Sequence, residues 1–137
     1  MLYEEFRNKR QDEFDNFKGI GFAYSNKQFN KLLEKLNTTS DNLYSIGHGG
    51  YILKNRYNDF MDMLIRNDNE LDELMKDYDF CLSALKFELF NHEYGITYDN
   101  TPALEALNLT SEDLINNETV SRAYKEARDY VIEYTYL

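Results

Sequence analysis

The chain alternates between segments with apolar residues at helical spacing and shorter apolar runs beside glycine. Helical spacing occurs over residues 3–17, 26–37, 56–66, 70–76 and 118–134. Ser25 precedes the second segment, where its hydroxyl can accept hydrogen bonds from the first backbone N–H groups of a helix. Asn67-Asp68-Asn69 separates 56–66 from 70–76, so the pattern predicts two short helices there.

Residues 78–91 are apolar on nearly every side, which is typical of a buried central helix. The apolar members are Phe80, Cys81, Leu82, Ala84, Leu85, Phe87, Leu89 and Phe90. Gly95 is predicted to end this helix, and Ile96 to Tyr98 to form a third strand or an extended link. Pro102 predicts a further short helix through Leu107. The last helix has Val120, Tyr124, Ala127, Val131 and Tyr134 on one predicted face.

Two apolar runs flank a glycine-rich tetrapeptide, Gly47-His48-Gly49-Gly50. Because glycine adopts the positive φ angles of tight turns, the runs 43–46 and 51–54 predict a β-hairpin. Residues 20–24 predict one more short strand. The fold class is therefore α+β, with mostly helices packed around a small antiparallel β-hairpin or three-stranded sheet. A length of 137 residues predicts a single globular domain over 1–137.

Composition is that of a folded protein, with 42% hydrophobic and 15% aromatic residues. The lone cysteine, Cys81, lies in an apolar run and is expected to be buried rather than reactive. The acidic N-terminus, Met1 to Glu5, does not look like a signal peptide, and no apolar stretch is long enough to span a bilayer. These features predict a cytoplasmic protein with no membrane partner.

Charge is distributed unevenly along the chain, whose net charge is −10. Residues 59–113 carry 14 acidic and 3 basic side chains, a net charge of −11. Residues 1–58 carry a net charge of +2 and residues 114–137 a net charge of −1. Direct binding to DNA or RNA needs clustered Lys and Arg to neutralise phosphates, so it is disfavoured. The expected partners are basic protein surfaces.

The densest acidic stretch, residues 59–79, is called the acidic segment here. Its carboxylates are Asp59, Asp62, Asp68, Glu70, Asp72, Glu73, Asp77 and Asp79. A solvated helical face that aids solubility is one interpretation. The other is a surface that imitates a phosphate backbone and occupies a basic nucleic-acid channel, since complementary charge speeds association. Tyr57 and Tyr78 would supply rigid anchoring area beside it.

Candidate chemistry elsewhere is sparse. His92 has Glu88 four residues before it, a spacing that favours a hydrogen-bonded structural pair over a metal site. The glycine turn that contains His48 runs from strand to strand, which favours a plain hairpin turn over a phosphate-binding loop. Asn91-His92-Glu93-Tyr94 is predicted to cap a helix or form a buried network. No catalytic residue, metal or cofactor is predicted.

Five motifs occur in a fixed order along the chain: 3–7 (YEEFR), 22–26 (FAYSN), 49–54 (GGYILK), 73–77 (ELMKD) and 91–96 (NHEYGI). Together they resemble an uncharacterised family of small acidic proteins carried by phages and conjugative elements of low-GC Gram-positive bacteria. The similarity extends to about residue 110. The resemblance implies no site residues. It implies a genetic context in which such proteins inhibit host defence, as anti-CRISPR and anti-restriction proteins do.

The leading hypothesis is a non-enzymatic inhibitor from a mobile element, whose acidic segment blocks a basic nucleic-acid-binding groove on a host defence nuclease. The target would be a CRISPR effector or a restriction nuclease. A second hypothesis is a small-ligand-binding protein or minor enzyme that uses His48, His92 and Glu93. A third is a homo-oligomeric accessory or regulatory protein, for which an exposed tyrosine-rich face without acidic bias would be the sign.

Overall fold

The computed structural model describes all residues, 1–137, which form eight α-helices and three β-strands. The helices are α1 (Tyr3–Asp15), α2 (Asn26–Leu36), α3 (Tyr57–Leu74), α4 (Tyr78–Asn91), α5 (Tyr94–Thr97), α6 (Thr101–Ala106), α7 (Asp113–Asn116) and α8 (Glu118–Thr135). The strands are β1 (Ile20–Phe22), β2 (Leu43–Gly47) and β3 (Gly50–Leu53). The predicted α+β class, mostly helical with a small antiparallel sheet, is confirmed.

The chain divides into two compact units. The helical unit comprises Met1–Gln11 and Asn67–Leu137, and the sheet unit comprises Asp12–Arg66. The two boundaries fall within α1 and α3. Each unit has a buried apolar cluster of its own.

The core of the helical unit is built around α4, as the apolar pattern predicts. Phe80, Cys81, Ala84, Leu85 and Leu89 are all buried in it. Small residues on α8, Ala123 and Ala127, are fully buried and let that helix pack closely against α4. Asp77 caps α4, since its side chain accepts a hydrogen bond from the Phe80 backbone N–H at 3.0 Å.

The sheet unit contains three antiparallel strands in the order β1-β3-β2. Ile52 of the central strand is fully buried and packs with Phe60 and Met63. Ser25 caps α2 as predicted, accepting a hydrogen bond from the Gln28 backbone N–H. The third strand is residues 20–22, which were predicted to be strand, and not residues 96–98.

The predicted break at Asn67-Asp68-Asn69 is wrong, because α3 runs unbroken from Tyr57 to Leu74. Asn67 lies four residues from both Met63 and Leu71, and all three side chains are buried on one face of the helix. The buried stripe therefore continues through the polar triplet. The cost is local: the Nδ2 atom of Asn67 is buried without a hydrogen-bond partner.

Residues 94–97 form the short helix α5, so the strand or extended link predicted at 96–98 is also wrong. Gly95 lies within α5 and does not end α4. A Cβ atom at Gly95 would come within 2.0 Å of Thr135 Oγ1, so only glycine allows α5 to approach α8 this closely. This packing contact, which lies about forty residues away in sequence, favours a helical turn over extended chain.

The hairpin turn consists of His48 and Gly49, both at positive φ (51° and 76°), as in a type I′ turn. Asparagine tolerates this left-handed conformation, whereas a β-branched residue does not. We expect His48→Asn to leave the free energy of unfolding unchanged or slightly higher, and His48→Val to lower it by about 1 to 2 kcal/mol. Urea denaturation measures both.

The control for this pair is Ser45→Val, which places the same side chain at an exposed position of β2, where β-branched residues are favoured. Equal stability of His48→Val and the wild type would contradict the turn assignment.

None of the eight helices combines the length and apolar character needed to cross a membrane.

Candidate interaction surface

Seven of the eight carboxylates of the acidic segment are exposed, and the eighth, Glu70, is partly buried. Asp59 and Asp62 belong to the sheet unit, and the other six belong to the helical unit. Four of them, Asp59, Asp62, Glu70 and Glu73, recur every three or four residues along one side of α3, with Arg66 in the middle. Asp68 and Asp72 lie on the opposite side of the exposed face. The carboxylates of α3 thus form two rows rather than one.

Several of these carboxylates are already engaged within the chain. Arg56 contacts Asp59 at 2.7 Å, Lys9 contacts Glu70 at 2.7 Å and Lys76 contacts Glu73 at 2.8 Å. Asp77 is the N-cap of α4, and Asp68 Oδ1 lies 3.4 Å from the Asn108 amide nitrogen. Asp62, Asp72 and Asp79 remain exposed without a side-chain partner. The charge available to a partner is therefore greatest at these three residues.

The two units differ sharply in charge. The helical unit has 18 acidic and 8 basic side chains, a net charge of −10. The sheet unit has 7 of each and is neutral. The imbalance found in the sequence therefore belongs to one unit as a whole. Such a unit attracts basic surfaces over a distance set by the Debye length, about 8 Å at physiological salt.

The two tyrosines predicted as anchors already have partners within the chain. Tyr57 packs edge-on against Tyr44, with ring centroids 5.2 Å apart. The Tyr78 hydroxyl donates a hydrogen bond to Glu126, which raises the pKa of Tyr78 above its usual range. Arg122 lies over the Tyr78 ring at 5.0 Å. Both rings are partly buried, which reduces the contact area they offer to a partner.

His92 and Glu88 form the predicted hydrogen-bonded pair, with His92 Nε2 at 3.1 Å from Glu88 Oε2. Glu88 is only 4% exposed, and its other oxygen accepts a 2.7 Å hydrogen bond from the Tyr3 hydroxyl. Arg7 Nε lies 3.8 Å from the same oxygen. The buried Glu88 carboxylate therefore links α4 to α1 through hydrogen bonds, and its role is structural.

The residues of the ligand-binding hypothesis are distributed over both units. His48 is exposed in the hairpin turn of the sheet unit, whereas His92 and Glu93 belong to the helical unit. Glu93 is exposed and adopts a left-handed conformation (φ 59°) at the turn between α4 and α5. The His92 imidazole is hydrogen-bonded to the Glu88 carboxylate. No three His, Cys, Asp or Glu side chains are arranged to hold a metal ion.

Cys81 is fully buried in the core, as predicted. Burial disfavours the charged thiolate and raises the pKa of the Cys81 thiol to about 12. Because the thiolate is the nucleophilic form, this residue is unreactive at neutral pH.

One exposed feature was not predicted from the sequence, because its aromatic residues lie on helices that the pattern assigns to the core. Phe90, Tyr130 and Tyr134 are 54%, 47% and 55% exposed, although Phe90 and Tyr134 continue the apolar faces of α4 and α8. They line a groove of about 460 Å³ within the helical unit. The apolar periodicity identified the buried faces of α4 and α8. It did not show that these faces become exposed to solvent near the C-terminal ends of the two helices.

These features define a small α+β protein whose net negative charge belongs to the helical unit. The chain belongs to a family described as a family of unknown function (DUF7659), which matches residues 2–130. No curated protein and no solved structure matches the chain.

Proposed function

We propose that this protein is a non-enzymatic binding protein whose acidic segment occupies a basic nucleic-acid-binding groove on another protein. The observation that carries the proposal is the net charge of −10 on the helical unit, set against a neutral sheet unit. Asp62, Asp72 and Asp79, the exposed carboxylates without a side-chain partner, supply the negative charge that would take the place of phosphates in such a groove. Such a surface binds Lys- and Arg-lined channels rather than nucleic acid itself.

The finer proposal is that the target is a host defence nuclease, either a CRISPR effector or a restriction enzyme, and that the protein acts in the cytoplasm of the host cell. This part rests on the resemblance to proteins of phages and conjugative elements. Nucleases of this kind hold DNA or RNA in positively charged channels. An acidic competitor in such a channel would prevent the nuclease from binding its substrate.

Charge reversal of the carboxylates that have no partner within the chain is the direct test. We expect Asp62→Lys/Asp72→Lys/Asp79→Lys to weaken binding to the captured nuclease by at least about a hundredfold, since complementary charge pairs each contribute about 1 kcal/mol or more. The captured nuclease would be identified from a lysate that contains CRISPR effectors and restriction enzymes. Its affinity for each purified variant would then be measured by calorimetry.

Asp77 is left unchanged because its loss would remove the cap of α4 and confound binding with folding. The matched control is Glu4→Lys/Glu34→Lys/Asp41→Lys, which changes the net charge equally at exposed positions outside the acidic segment. If both triple variants weaken binding equally, only the total charge matters and the acidic segment is not the binding surface.

A further inference from the structure

The aromatic groove of the helical unit lies between α4 and α8. Contacts between these helices advance in the same direction along both helices, from Lys86 with Tyr130 to Phe90 with Tyr134, so α4 and α8 run parallel. The spacing of four residues on each helix places the two pairs on successive turns. The groove between them has a volume of about 460 Å³, within the roughly 300 to 1,000 Å³ range of small-molecule sites.

Aromatic rings supply most of the groove's lining. Phe90 meets Tyr134 edge-on with centroids 5.7 Å apart, and Tyr130 stacks with Tyr134 at 6.1 Å. Phe87 completes the wall, and the Arg7 guanidinium lies 4.3 Å from its ring centroid. The four rings thus line one open groove, and Phe90, Tyr130 and Tyr134 remain about half exposed to a ligand. Exposed aromatic faces and edges favour a planar aromatic ligand, which can pack against them stacked or edge-on.

Lys86 is the single charged side chain among the seven residues that line the groove. Its ammonium lies 4.3 Å from the Tyr130 ring centroid and has no carboxylate partner. Lys9 and Lys76 are paired with Glu70 and Glu73, whereas Lys86 and Lys125 have no carboxylate partner, and of these two only Lys86 lines the groove. An anionic group on a ligand would complement it, because a charge-assisted hydrogen bond is about twice as strong as a neutral one.

We propose that this groove binds a small planar aromatic carboxylate. The ring system lies against Phe90, Tyr130 and Tyr134, and the carboxylate accepts a hydrogen bond from the Lys86 ammonium. This site is separate from the acidic segment, and the proposal does not depend on the proposed function.

The test uses indole-3-propionate as the probe and indole-3-propionamide as its uncharged counterpart. Because the chain contains no tryptophan, indole fluorescence excited beyond the tyrosine band reports the probe alone. We expect the wild type to bind the acid about tenfold more tightly than the amide. Lys86→Gln should bring the affinity for the acid down to that for the amide and leave the amide unchanged.

Lys125→Gln is the matched control, since Lys125 is exposed on α8 but does not line the groove. It should bind both probes as the wild type does, while Tyr134→Ala should weaken both. Backbone amide chemical shifts of the full chain locate the bound probe. The proposal is overturned if neither probe binds at millimolar concentration, if acid and amide bind equally to the wild type, or if the shifts map outside the groove.

Discussion

Replacing Glu88 with alanine should lower the free energy of unfolding by about 2 to 4 kcal/mol, the combined effect expected of a buried hydroxyl left without an acceptor and of a cavity in the core. Glu88 is buried, and its carboxylate contacts the Tyr3 hydroxyl, His92 Nε2 and Arg7 Nε. The alanine variant leaves the Tyr3 hydroxyl buried without an acceptor. It also opens a cavity between α1 and α4.

Glu88→Gln removes the negative charge at this position and keeps the size and shape of the side chain. Its amide oxygen can still accept the hydrogen bond from Tyr3, so we expect a smaller loss, about 1 to 2 kcal/mol. Glu105→Ala, at an exposed position of α6, is the control and should change stability by less than about 0.5 kcal/mol. Urea denaturation at neutral pH measures all three. A Glu88→Ala variant as stable as the control would show that the network contributes nothing.

The second large effect should appear at alkaline pH. Burial raises the pKa of Cys81 from 9.0 to about 12 and that of Tyr94 from 10.0 to about 12. Burial, followed by the hydrogen bond to Glu88, also raises the pKa of Tyr3. In the folded state these groups keep protons that the unfolded chain releases. Their contribution is complete below the unfolded pKa values and is lost as pH rises from 9 toward 12.

Each such group should lower the free energy of unfolding by about 1.4 kcal/mol per pH unit within its window. Cys81→Ala removes one of these groups. Between about pH 9 and 11, the free energy of unfolding of this variant should therefore fall less steeply than that of the wild type, by about 1.4 kcal/mol per pH unit. The comparison uses slopes, because the substitution also lowers stability at every pH by leaving a small cavity. Identical slopes for the two proteins would contradict the effect of burial on Cys81.

Local signals in the sequence were sufficient for most of the fold. The Ser25 cap, the glycine turn and the all-round apolar pattern of 78–91 each identified an element that the structure contains. These signals concern residues near one another in the chain. The wrong predictions concern segments whose secondary structure depends on packing against residues distant in sequence. Asn67 is buried within a continuous α3, and Gly95 packs against Thr135 in a helical turn.

The candidate surface was predictable in composition but not in detail. Counting charges located the acidic segment, because charge density needs no structure. It could not show that Glu70 and Glu73 pair with lysines or that Asp77 caps α4. Nor could periodicity show that Phe90 and Tyr134 emerge from the core, since both continue apolar faces. Contacts with side chains that are distant in sequence determine which carboxylates are paired and which aromatic rings are exposed.

An acidic segment that occupies a basic nucleic-acid-binding groove must compete with nucleic acid for that groove. The most direct test is to measure binding of the protein to the captured nuclease while the nuclease's own nucleic-acid substrate is titrated in. We predict competitive displacement, with affinity for the nuclease that also falls as salt rises, because exposed charge attraction is screened. Unchanged binding at saturating nucleic acid would show that the acidic segment does not occupy the nucleic-acid-binding groove.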